Sequence, residues 1–99
     1  MNADELVKRT IAWGDKHKID NIHTQALKTV EELSEAISEL NHGRLGEEFE
    51  DGIGDTLVSL TIFAHIAGKD ICKCWEKALN VIEKRTGKTI NGNFIKKEH

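Results

Sequence analysis

Between Ile53 and Ala67 the chain puts apolar side chains on nearly every face of one helix, among them Leu57, Val58, Leu60, Ile62, Phe63 and Ile66. A helix that is apolar all round has to be covered all round. The chain has 99 residues, and a chain of that size buries only about 60–70% of its unfolded surface. Three other helical segments are available to do the covering. The expectation is that this helix is either central in a bundle or shared with a neighbour, and an obligate oligomer, a homodimer or homotetramer, is favoured.

Proline is absent, so helices can run long and must be ended by glycine and polar clusters. The apolar spacing predicts four. The first covers about 3–17, with Leu6, Val7, Thr10, Ile11 and Trp13 at helical steps. The second starts after Asn21–His23, carries Ala26, Leu27, Val30, Leu33, Ala36, Ile37 and Leu40, and stops at the turn flanked by Gly43 and Gly46. The third covers about 47–67. The fourth, about 70–86, has Asp70 as its N-cap and is expected to pack through Ile71, Trp75, Ala78, Leu79 and Ile82. The 87–99 tail has no helical period, and Thr89–Ile95 reads as a short hairpin or extended arm. The fold class is thus all-α, four-helix bundle-like, with one domain over 1–99 and a short non-helical tail.

A net charge of −3 argues against general nucleic-acid binding, which draws on clustered Lys and Arg. No apolar run reaches the roughly 20 residues that cross a bilayer, and Met1-Asn2-Ala3-Asp4-Glu5 is not a secretory start. The expected location is cytoplasmic, or the host cytoplasm for a phage-encoded chain, with no membrane partner. Cys72 and Cys74 diverge around a helix and are expected to be reduced and structural.

The chemistry lies in an acidic pattern split over two helices: Glu31-Glu32-x-x-Glu35, then Asp51-x-x-x-Asp55, with Glu48 one turn earlier. Acids three and four apart crowd one helix edge and repel by a few tenths of a kcal/mol per pair. Divalent metal compensates that cost, and so does full solvation, which would make Glu31, Glu32, Glu35, Glu47, Glu48 and Glu50 a plain acidic surface. Asp55 tips the balance, because it sits where the third helix turns wholly apolar and is expected to face the bundle interior, where an unpaired carboxylate is costly. Mg2+, a hard cation held by carboxylates, water and phosphate, would resolve that placement. Gly52 and Gly54 cost helix stability at about 1 kcal/mol each, which implies close backbone approach.

These residues resemble the metal motif of the MazG-like all-α nucleoside triphosphate pyrophosphohydrolases, E-E-x-x-E followed by E-x-x-D. The likeness runs over about 25–85. Gln25-x-x-Lys28-x-x-Glu31-Glu32, Asp51-Gly52-Ile53-Gly54-Asp55 and the tail Lys84-Arg85-x-Gly87-Lys88-x-x-Asn91-Gly92-x-Phe94 look like the short phage-type and bacterial branch. One departure stands out: Gly52 occupies the place of the second motif's Glu, and Asp51 is the candidate replacement, with Glu48 a weaker one. The resemblance implies hydrolysis of a (d)NTP to the monophosphate and pyrophosphate with Mg2+, or Mn2+, in nucleotide-pool cleaning or dNTP control. It implies Glu32, Glu35 and Asp55 as ligands, and Glu31 as a ligand or the base that orients water. Lys28, Asn80, Lys84 and Arg85 would approach phosphate or sugar, and Trp13 would stack on a base.

Each has a plainer role. Lys28 makes an ordinary i, i+4 pair with Glu32, Lys84 and Arg85 suit any helix C-terminus, and Trp75 and His65 read as core or interface. His23 reads as a local cap or as solvent-exposed. Three rival readings remain. A ferritin-like bundle needs two E-x-x-H units, and only Glu39-x-x-His42 fits. The others are a helical interaction module and a nucleotide binder that has lost hydrolysis.

Overall fold

Three of the four helices begin at a side chain that accepts a hydrogen bond from the third residue on. The computed structural model describes residues 1–97. Helix α1 (Ala3–Lys16) starts where Asn2 accepts from the Glu5 amide at 2.9 Å. Helix α2 (Ile22–Asn41) starts at Asn21, which accepts from Thr24 at 3.0 Å, so His23 is an exposed first-turn residue and not the cap. Helix α4 (Ile71–Glu83) starts at Asp70, which accepts from Lys73 at 3.1 Å. Helix α3 (Glu47–Ile66) follows Gly46 without a side-chain cap and relies instead on Glu47, Glu48 and Glu50, whose charges suit a helix N-terminus. Helix α4 ends three residues before its predicted limit, with Lys84 as its C-cap.

The tail is a hairpin over most of its length. Strand β1 (Gly87–Ile90) pairs antiparallel with β2 (Asn93–Lys96), Ile90 opposite Asn93. The two-residue loop has φ of 51° at Asn91 and 78° at Gly92, the left-handed pair of a type I′ turn for which Asn-Gly is the favoured sequence. Residues 98 and 99 of that predicted segment lie outside the described residues.

Packing centres on α2 against α3. Contacts rise along α3 as they fall along α2, so the pair is antiparallel: Gly52 lies on Ala36, and Ser59 meets Gln25 and Thr29. The Gln25 amide donates to the Ser59 carbonyl at 3.0 Å, and the Thr29 and Ser59 hydroxyls are 2.7 Å apart. Helix α1 crosses α3 with Gly14 seated on Ile62, and Asp15 meets His65 at 3.1 Å. His65 is thus exposed and in contact with the Asp15 carboxylate, not a core histidine.

The covering of α3 differs from expectation. Its inward residues are Gly52, Ser59, Thr61 and Ile62, while Ile53, Leu57, Val58 and Leu60 remain exposed. Helix α4 touches α3 only slightly and buries none of its residues, so Trp75, expected in the core, is 64% exposed. The physical reason is that small residues let two backbones approach, and the bulky ones are left around the rim. Both cysteines are free, and among the described residues no helix is long and apolar enough to cross a membrane.

Gly52 and Gly54 separate cleanly. A Cβ at Gly52 would fall 2.8 Å from the Ala36 Cβ, whereas one at Gly54 meets nothing within 4 Å. Gly52→Ala is expected to destabilise by about 1–3 kcal/mol through overpacking, and Gly54→Ala to stabilise by about 1 kcal/mol through helix propensity. Thermal melting checks both, with opposite shifts of about 4–8 °C per kcal/mol.

Candidate functional site

The α2–α3 register decides where the acids lie. With Ala36 against Gly52 and Thr29 against Ser59, Glu32 falls level with Asp55 and Thr56. Around α3, at 3.6 residues per turn, Glu48, Asp55 and Asp51 lie roughly 40°, 60° and 100° to one side of Gly52. Around α2, Glu32, Glu35 and Glu31 lie roughly 40°, 100° and 140° to the same rotational side of Ala36. In an antiparallel pair those two sides form one edge. Both acidic motifs therefore border a single edge of the α2–α3 pair. The opposite edge carries Val30, Leu33 and Ile37 of α2 beside Ile53, Leu57 and Leu60 of α3, all exposed.

Burial on the acidic edge is the reverse of expectation. Asp55, predicted to face the interior, is exposed, as are Glu31, Glu35 and Asp51. The interior carboxylate is Glu32, at 8% exposure. Its charge is met by Lys28 Nζ at 3.2 Å, one turn earlier on α2. The hydrogen bond to Glu32, and then its charge, raise the Lys28 pKa above 10.5.

Beside this edge α1 and α3 enclose a groove of about 700 Å³ lined by Asp55 and Val58 on one side and by Arg9 and Trp13 on the other. Trp13 is half exposed, with His17 stacked obliquely at 4.7 Å between ring centroids. The flat indole, the guanidinium and the carboxylate so share one concave surface. Arg9 went unnoticed in the sequence; its only signal there is its place one turn before Trp13.

The remaining predicted residues are not brought to this edge within one chain. Asn80, Lys84 and Arg85 are exposed, and α4 touches α3 only slightly, with Ile71, Cys74 and Trp75 near its start bordering a cavity against Leu57 and Leu60 of α3. The pair Glu39-x-x-His42 is occupied locally, Glu39 by Arg44 and His42 Nδ1 by the Ser38 carbonyl at 2.7 Å.

The donor set suits a hard cation: every candidate is a carboxylate, and the groove offers a guanidinium for phosphate. Among the described residues no three His, Cys, Asp or Glu side chains stand close enough to hold a metal ion as placed. Coordination would require Glu35, Asp51 and Asp55, all exposed, to rotate toward Glu32. Comparison with known protein families, curated proteins and solved structures gives no match for the chain.

Removing Lys28 isolates a buried charge, which costs more than removing both partners. Lys28→Met is expected to lower the melting temperature of the metal-free protein by a few degrees, and Lys28→Met with Glu32→Gln to recover most of it. Because the Lys28 pKa is raised, the pair's contribution is fully present below 10.5 and is lost as pH rises through the folded value. The wild-type-to-Lys28→Met difference should thus be equal at neutral and mildly alkaline pH and shrink beyond that point.

Proposed function

We propose that this chain is a Mg2+-dependent nucleoside triphosphate pyrophosphohydrolase of the MazG-like kind, cleaving a (d)NTP to its monophosphate and pyrophosphate. The observation that carries the reading is the shared edge: Glu32 and Asp55, from separate motifs, are level across the α2–α3 pair, beside a groove that holds Trp13 and Arg9.

Glu32, Glu35 and Asp55 would hold the metal, Mg2+ or alternatively Mn2+, with Asp51 in the part that Gly52 leaves unfilled. Bound there, the ion would polarise the α-phosphate and lower the pKa of water. Glu31, exposed at the margin of the edge, orients the attacking water and takes its proton. Trp13 stacks on the base through its open face, and Arg9 from the same helix face meets the phosphates. Lys28, which pairs with Glu32 in the metal-free chain, would be available to the triphosphate were the Glu32 charge taken up by a bound ion. Metal is indispensable on charge grounds, since a tetra-anion would otherwise meet a row of carboxylates.

The assembly is a homodimer or homotetramer. The aliphatic edge of α2–α3 and the apolar side of α4 are only slightly covered within one chain, and Ala36 and Ile62 are the only buried apolar residues among those described. A second copy covers the aliphatic edge and brings its Asn80, Lys84 and Arg85 toward the site. The same exposed apolar surface favours a helical interaction module as the second reading.

A panel of NTPs and dNTPs with Mg2+, read by pyrophosphate release, tests the proposal. Turnover is expected for at least one nucleotide, with complete loss on chelation. Glu35→Ala and Asp55→Ala should each lower kcat by at least roughly 100-fold, the upper end of what a group supporting a metal site contributes. A wild type without turnover, but with a melting temperature raised by Mg2+, would identify a binder without hydrolysis. Neither response would leave the interaction module.

A further inference from the structure

The hairpin is the element that the proposed hydrolysis leaves without a role, and its chemistry is unlike the rest of the molecule. Residues 84–97 hold Lys84, Arg85, Lys88, Lys96 and Lys97 and no acid, whereas residues 1–83 hold sixteen acids against nine Lys and Arg. Strand pairing sorts its side chains into two similar faces. Lys88, Ile90 and Ile95 share one, and Lys96 and Phe94 share the other. On both, a lysine stands near the helix and an apolar side chain follows toward the turn. Ile90, Phe94 and Ile95 are about half exposed.

A two-stranded hairpin is marginal in water unless it packs on something. Among the described residues the strands pack substantially only on each other, while the helices pack on one another. Helix α4 leaves α3 near Trp75, and the chain from there to Thr86 carries the arm roughly a further 15–20 Å. The acidic edge of α2–α3 is the complementary surface: Glu31, Glu35, Asp51 and Asp55 lie exposed along it, with Val58 beside Asp55.

We infer that the basic hairpin docks on the acidic α2–α3 edge of a second copy of this chain, Lys88 and Lys96 against its carboxylates and the apolar tip against the adjoining groove. The arm then closes a site to which the partner contributes cations. Docking itself requires no catalysis; the further role of these lysines, pairing with the phosphates of a bound triphosphate, rests on the function proposed above.

Carbodiimide cross-linking of an equal mixture of 15N-labelled and unlabelled protein, mapped by mass spectrometry, tests the docking directly. Mixed-isotope peptides are expected that join Lys88 or Lys96 to Glu31, Glu35, Asp51 or Asp55, and they should fade in high salt. Lys88→Glu with Lys96→Glu should abolish them. Mixing that variant with chains carrying Glu35→Lys and Asp51→Lys should restore contact through the reversed charges, read as mixed-isotope links from the introduced lysines of one chain to the introduced glutamates of the other. Links confined to one isotope, links from the hairpin lysines to no acid of the edge, or a monomer with unlinked hairpin lysines overturns the inference. Pyrophosphate assays run alongside separate the two claims: trans links without turnover keep the docking and remove the hydrolysis, while turnover with an unchanged KM in the Lys88→Glu, Lys96→Glu variant removes the phosphate role.

Discussion

The close approach of α2 and α3 at Gly52 and Ala36 governs everything else in this molecule. Two small residues bring the backbones together, and a few turns along, the Gln25, Thr29 and Ser59 side chains fix how far one helix slides on the other. Hydrogen bonds inside a protein are strong because little water competes, and an unmet one is expensive. No buried polar side-chain atom among the described residues lacks a partner, so the polar clamp stabilises one register over its neighbours. A slip of one turn would move Glu32 roughly 5 Å along the axis from Asp55 and dissolve the alignment of the two acidic motifs.

That crossing also divides the helix pair into two unlike edges. One gathers the carboxylates and adjoins α1; the other presents aliphatic side chains to the outside. A fold with so little apolar volume enclosed by its own chain leaves much aliphatic surface uncovered, and under the association proposed above its stability would depend on protomer concentration.

Much of this organisation was legible in the residues. Asp70 announced a helix start, the Asn21–His23 stretch placed another, Thr89–Ile95 allowed a hairpin, and the spacing of Glu31, Glu32 and Glu35 put them along one side of α2. What could not be read was which side of α3 turns inward. Hydropathy weights bulk, so Leu57, Val58 and Leu60 suggested a covered helix and an interior Asp55. Contact distance weights smallness, and Gly52 and Ser59 won the inner face. The same bias placed Trp75 in the core, although α4 touches α3 too slightly to cover it. Arg9 escaped notice because a lone arginine on an amphipathic helix looks like solvated surface until α3 is seen to run beside it.

Gly52 also limits what its own position can carry. In the pattern that the chain resembles, this position is a glutamate, yet here even one carbon beyond the backbone meets Ala36. A carboxylate cannot be introduced at this point by a single exchange; α2 must first yield, through a smaller residue at 36 or a wider crossing.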